Sequence, residues 1–164
     1  MSGRLEIILG CMYSGKSTEL LRRCNRYASI GKNVLLINHS LDIRTTDKIK
    51  THENVTKDAI KLENLFDIWK NNEHLEKFQS AEVIGIDESQ FFGDLYEFIL
   101  EIEKENMIVI ISGLDGDFQR KPFGQILQCI PLCDEVVKLS AMDMVDKDGT
   151  PGIFTKRIVE GDEQ

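Results

Sequence analysis

What this sequence lacks bounds it first. No run of about 18 uncharged apolar residues occurs, so no segment is expected to cross a bilayer as a helix. The opening MSGRLEIILG turns polar again within a few residues, which does not suit a secretory signal, and the cytosol is the expected compartment. Positive charge is scarce: 20 Lys and Arg stand against 28 Asp and Glu, a net charge of −8 and a pI near 4.9. That balance, with no evident basic track, argues against a nucleic-acid backbone as the main partner, because neutralising phosphates needs a surplus of Lys and Arg on some face. No two of the four cysteines, Cys11, Cys24, Cys129 and Cys133, have CxxC spacing, so buried free thiols are expected rather than disulfides or metal ligands. Repeats and low-complexity tracts are absent as well.

What is there fits one domain. The 164 residues are 41% apolar and 29% charged, the balance of a globular chain able to bury a core. Apolar runs recur at Leu5–Leu9, Val34–Ile37, Val83–Ile86, Met107–Ile111 and, more weakly, Val136–Leu139. Strands apolar throughout, alternating with amphipathic stretches, predict an α/β fold whose mostly parallel sheet carries helices on both faces. The first helix is expected from the Gly15-Lys16 turn to about Ile30, with Leu20, Leu21, Cys24, Tyr27 and Ala28 inward and Gly31 as its stop. A second helical pattern is read within Asp58–Phe78 from Ile60, Leu62, Leu65, Phe66 and Trp69. A third is read over about Asp94–Glu105 from Leu95, Phe98, Ile99 and Ile102. The stretch Asp146–Gly152 reads as a turn-rich loop.

Between the first strand and the first helix lies GCMYSGKST, a match to GxxxxGK[ST]. In that setting the backbone N–H groups of Gly10, Cys11, Met12, Tyr13, Ser14 and Gly15 are expected to curl around a phosphate chain. Lys16 is expected to reach its terminal oxygens, and Ser17, followed by Thr18, to supply a hydroxyl to Mg²⁺. Gly15 suits the close approach of backbone to phosphate. Such a cradle requires an acidic partner at the end of a neighbouring strand, and Asp87, directly after Val83–Ile86, supplies it as a second metal residue. Glu88 follows, near enough to the metal to act as a base. Read alone, Asp87 is also compatible with a turn carboxylate, and a Glu after the Asp serves water activation as well as transfer to an alcohol.

Four blocks in order, GCMYSGKSTELLRR, LDIR at 41–44, VIGIDESQFF at 83–92 and LDGDFQRKPFGQIL at 114–127, resemble the type II, cytosolic and viral, thymidine kinases over about residues 4–158. The resemblance implies a P-loop, RecA-like kinase domain over residues 1–140 and a remnant of a lasso-like zinc subdomain over 141–164. It implies MgATP as phosphoryl donor, the 5′-hydroxyl of thymidine or deoxyuridine as acceptor, and Glu88 as the base that takes the hydroxyl proton. Asp42 and Arg44 match the family's Asp-x-Arg, which places a guanidinium beside the transferred group; Gln90 matches a position beside the phosphates. Met12, Phe91, Leu114, Phe118, Phe123 and Thr155 match positions that contact the nucleoside, flat apolar walls for a pyrimidine in most cases. Feedback by thymidine triphosphate and a homotetramer are further implications.

Two departures from that pattern stand out. Asp143 and Asp146 occupy the places of the family's first CxxC, and the sequence ends at Gln164, before the family's Gly-Gly-x-x-x-Tyr stretch and second CxxC. The three histidines, His39, His52 and His74, lie far upstream, so no structural zinc is expected. Without the segment that closes over the base, discrimination among bases is expected to weaken, since it comes from paired polar groups. A deoxynucleoside kinase is therefore the leading expectation. A weak or inactive nucleotide-binding or regulatory protein on the same scaffold is the alternative, and a DNA-directed ATPase is disfavoured by the charge.

Overall fold

The computed structural model describes residues 3–42, 48–50 and 56–156. Strand β1 (Arg4–Gly10) leads through the glycine turn into helix α1 (Lys16–Ser29), and β2 (Val34–His39) follows. Then come the short strands β3 (Lys48–Lys50), β4 (Thr56–Asp58) and β5 (Ile60–Leu62), a 3-10 turn over Leu65–Lys70 and helix α2 (Asn72–Ser80). Strand β6 (Val83–Ile86), helix α3 (Leu95–Ile102), β7 (Ile108–Leu114), a 3-10 stretch over Ile126–Leu132 and β8 (Glu135–Leu139) complete the main body. A small antiparallel pair, β9 (Ala141–Met142) with β10 (Pro151–Gly152), ends it.

Six strands form one sheet in the order β5-β2-β6-β7-β1-β8, and every pairing in it is parallel. This is the α/β architecture that the uninterrupted apolar runs predict: with both faces covered, no strand in the middle of the sheet needs a polar side. The cover is unequal. On one face Leu20, Leu21 and Cys24 of α1 pack on Ile8, Leu36, Val83, Ile108 and Ile110. On the other, α3 and the two 3-10 stretches bring Leu95, Phe98, Ile102, Leu65, Ile68 and Ile126 against Ile7, Ile37, Ile84, Ile86 and Ile111. All four cysteines are free thiols, and three of them are buried. No helix among the described residues is long and apolar enough to cross a membrane.

Helix α1 runs as predicted. Ile30 caps it, and Gly31, at φ 84°, takes the left-handed conformation that lets its N–H return to the Ala28 carbonyl at 3.0 Å. Ala28, expected inward, is exposed. The helix read within Asp58–Phe78 is corrected. Ile60 and Leu62 alternate along the edge strand β5, and Leu65 and Ile68, with Phe66 partly buried beside them, turn inward from the 3-10 segment before α2 begins at Asn72. A three-residue strand followed at once by a helical turn mimics a 3.6-residue period, which is how the two elements fuse in the sequence. Asp146–Thr150 lie in the turn between β9 and β10, whereas Pro151 and Gly152, read as part of the loop, form β10 itself.

Register brings the chemistry to one rim. Gly10 stands opposite Leu114 on one side and Leu139 on the other, and Ile86, the last residue of β6, stands opposite Ile111. The carboxyl ends of these strands, where open parallel sheets bind ligands, therefore face the same crevice.

Candidate active site

The turn from Gly10 to Ser17 is shaped by left-handed backbone at Tyr13 (φ 62°) and Gly15 (φ 85°), a bend that turns successive N–H groups inward as an anion nest. Gly10 has no room for a side chain: a Cβ there would lie 2.5 Å from Ser14 Oγ and 2.7 Å from the Leu139 carbonyl oxygen. The Cys11 carbonyl accepts from both Ser14 Oγ and Lys16 Nζ, each at 2.7 Å, so the lysine folds back over the turn. Burial pushes the Lys16 ammonium below the usual lysine range, against the pull of the Glu88 and Asp87 carboxylates. An incoming polyanion would favour its charged form. Thr18, the last residue of the motif, is exposed.

Asp87 is 1% exposed and fully engaged. Its Oδ2 accepts from Ser17 Oγ at 2.6 Å, and its Oδ1 accepts from Ser112 Oγ at 2.7 Å and from the Glu88 amide at 2.9 Å. The hydroxyl of α1 and the carboxylate after β6 thus meet, as the motif logic requires. Glu88 adopts φ 51° and ψ 38°, left-handed space that a non-glycine residue enters at a cost of about 1–3 kcal/mol, and such strain is concentrated where a side chain must be aimed. Gln90 Nε2 donates to Glu88 Oε2 at 2.7 Å, while Gln90 Oε1 accepts from the Leu114 amide at 3.0 Å. Gln90 is therefore a strut between Glu88 and the end of β7. Behind it Gly124, at φ 63°, lies so close that a Cβ would fall 2.1 Å from the Gln90 carbonyl oxygen.

Asp42 is buried beyond the end of β2. Its Oδ2 accepts from Asn38 Nδ2 at 2.8 Å, and its carbonyl accepts from the Lys61 ammonium. Arg44 lies outside the described residues. Of the expected nucleoside walls, Phe91 and Phe123 meet edge to face at 5.6 Å. Leu114 and Phe118 are half-buried, Phe118 on the turn that Asp117 ties by accepting from the Gln119 and Lys121 amides at 2.8 and 3.0 Å. Met12 is 43% exposed, so it walls nothing closed in this state. Thr155 reaches the cradle: its Oγ1 accepts from the Met12 amide at 3.0 Å, and Cys11 Sγ donates to the Gly152 carbonyl at 3.3 Å. The Arg120 guanidinium sits 4.8 Å above the Phe154 ring. Between these contacts is a cavity of about 220 Å³ bordered by Cys11, Asp115, Asp117, Arg120, Phe154 and Thr155, with Lys138 paired to Asp115 at 2.8 Å. Thr155 alone of the expected nucleoside residues borders it. A larger space of about 930 Å³ lies along Asn33–Leu36 and α2, at the opposite end of β2 from this chemistry.

The description "thymidine kinase" belongs to the family whose pattern matches residues 3–164, nearly the whole chain. The chain belongs to the thymidine kinase family. A thymidine kinase of Vaccinia virus (strain Ankara) is 42% identical over 158 residues, which span 96% of this chain and 85% of the relative. Thymidine kinase a of Arabidopsis thaliana and the cytosolic thymidine kinase of Cricetulus griseus are each 42% identical over 142 residues, and the chain spans 59% and 58% of their lengths. Among solved structures, domain III of the Thermotoga maritima replication initiation protein DnaA superposes with a TM-score of 0.52 at 18% identity. That match covers 84% of this chain and 55% of the other, a likeness of fold alone.

Against the zinc subdomain of the type II thymidine kinases, the β9–β10 turn offers a poor fit. Asp143 Oδ1 accepts the amides of Val145 at 2.7 Å and Asp146 at 3.4 Å, so its carboxylate closes a turn. Among the described residues no cluster of three or more His, Cys, Asp or Glu is arranged to hold a metal. The thymidine kinase motifs did not single out Ser112 or His39, both buried beside the rim. Ser112 leaves a signal: one hydroxyl interrupts the apolar run of β7 next to Ile111, the register partner of Ile86, level with Asp87. His39 leaves none.

Proposed function

We propose that this chain transfers the γ-phosphoryl group of ATP to the 5′-hydroxyl of thymidine, giving thymidine monophosphate and ADP. The observation that carries the reading is the convergence of Lys16, the Ser17–Asp87 pair and Glu88 on one rim of the sheet in a chain matched along nearly its whole length by one kinase family. The backbone of Gly10–Gly15 cradles the β-phosphate, and Lys16 neutralises the terminal oxygens. Ser17 and Asp87 are the residues that would hold Mg²⁺, and hard oxygen donors fit it; the bound ion supplies charge neutralisation at the phosphates. Glu88 takes the proton of the attacking hydroxyl, Gln90 holds the Glu88 carboxylate toward β7, and Asn38 holds the Asp42 carboxylate at the end of β2. Phe91, Phe123, Leu114, Phe118, Met12 and Thr155 supply the nucleoside contacts.

The test is phosphorylation of labelled thymidine with MgATP beside deoxycytidine, deoxyguanosine and a hydrolysis control without nucleoside. Thymidine-selective transfer is expected. ATP hydrolysis with no transfer, or equal transfer to all three nucleosides, sinks the assignment.

A further inference from the structure

His39, the last residue of β2, is 4% exposed and belongs to none of the motifs, yet all four of its polar groups are committed. Ring Nδ1 accepts from the Leu41 amide at 3.0 Å. A nitrogen that accepts carries no proton, so Nε2 bears the hydrogen and donates it to the Glu63 carbonyl at 2.9 Å. The backbone joins in: the His39 amide donates to Asn38 Oδ1 at 2.8 Å, and its carbonyl accepts from the Asp42 amide at 3.0 Å. Asn38 in turn donates its Nδ2 hydrogen to the Asp42 carboxylate. The ring itself is wedged against two aromatics of the segment after Glu88, edge-on to Phe92 at 4.6 Å and tilted to Phe91 at 5.5 Å. Phe91 then meets Phe123.

We infer that His39, as a neutral imidazole protonated on Nε2, is a positioning residue that fixes two parts of the site together: the turn carrying Asp42 and the aromatic wall begun by Phe91. The inference rests on the proposed kinase reading for its effect on turnover, but not for the positioning itself. Among the described residues, the carboxylates that face the ring are Glu63, on the turn after β5, and Asp94, at the start of α3. Burial holds the ring below the usual histidine range, outweighing the upward pull of the hydrogen bond to the Glu63 carbonyl and of these two carboxylates. Asp42 sits on the turn it supports, and the Lys61 ammonium reaches that turn from β5. A second proton can enter only at Nδ1, where it would point at the Leu41 N–H. Donor then faces donor, and the turn must leave. The positioning therefore holds at neutral pH and fails in acid.

Two substitutions separate the two halves of this role. His39→Asn keeps an acceptor near the Nδ1 position but cannot titrate and has no ring. His39→Phe keeps the ring packing and loses both side-chain hydrogen bonds. Thymidine and ATP kinetics from pH 5 to 8 are compared with proton NMR titration of the imidazoles in substrate-free protein, where only three histidines need assignment. The expected result is that the Leu41 amide shifts together with the His39 ring, at a pKa below 6.5, and that wild-type kcat/KM for thymidine falls over the same range. His39→Asn should lack that component while keeping any acid limb due to Glu88. His39→Phe should lose about tenfold in kcat/KM at pH 7.5, the scale of the lost hydrogen bond from Leu41 that holds the Asp42 turn, with folding intact by circular dichroism. Folded His39→Phe with wild-type kinetics, or a Leu41 amide indifferent to His39 protonation, overturns the inference. A wild type that transfers no phosphate while the Leu41 shift appears overturns the kinase reading and leaves the positioning standing.

Discussion

Glu88 carries a strained backbone, a hydrogen bond from Gln90 and a place beside Asp87. Replacing its carboxylate with an amide keeps the shape and removes the base. Glu88→Gln should therefore retain ATP affinity, measured by titration calorimetry, and lose on the order of 10²–10⁴-fold in phosphoryl transfer; unchanged turnover would remove Glu88 from the chemistry. At this scale the sequence was legible where chemistry imposes a spacing. GxxxxGKS between strand and helix, and Asp87 directly after an apolar run, both landed on the same rim. The resemblance sets Gln90 beside the phosphates, and in the fold its side chain also spans Glu88 and Leu114. No local pattern predicts a strut of that kind, because its two ends come together only when β6 and β7 pair.

Helix α1 is tied down by charge. Arg23, whose side chain is 11% exposed, reaches Glu6 at 2.7 Å, Glu19 at 2.7 Å and Glu135 at 3.1 Å, tying the helix to β1 and β8. Arg23→Met would leave Glu6, buried on its strand, with Arg4 alone. The expected loss is about 2–3 kcal/mol, seen as a lower urea midpoint with an unchanged slope. Adding Glu6→Gln should recover part of it. Hydrogen bonds from Arg22, then Arg23, pull the Glu19 carboxyl down to about 2. Its folded pKa lies below the ordinary value near 4.5, so its contribution to stability is complete above that value and drains away as the pH falls from there toward 2. The long apolar strands were readable because parallel burial on both faces leaves them no polar alternation. The edge strand β5 was not, since three residues supply too few periods to separate 2.0 from 3.6.

On the scale of the whole molecule, the body is held by two apolar layers on an all-parallel sheet, and the β9–β10 turn closes through Asp143 rather than through thiolates. A strong zinc chelator should accordingly leave the melting temperature where it was; a drop of several degrees would mean that Asp143 or Asp146 helps to hold a metal after all. The order of the strands has a further consequence for how the protein is made. Among the described residues strand β1 pairs with β7 and β8 alone, and these begin at Ile108 and Glu135. A nascent chain that has emerged through β6 still lacks both ladder partners of β1, so the glycine turn that follows it hangs from a strand held only by the packing of α1. The nucleotide cradle thus precedes in sequence both strands that fix it. Slow synthesis or a pause before Ile108 would lengthen the time for which LEIIL stands exposed to other chains.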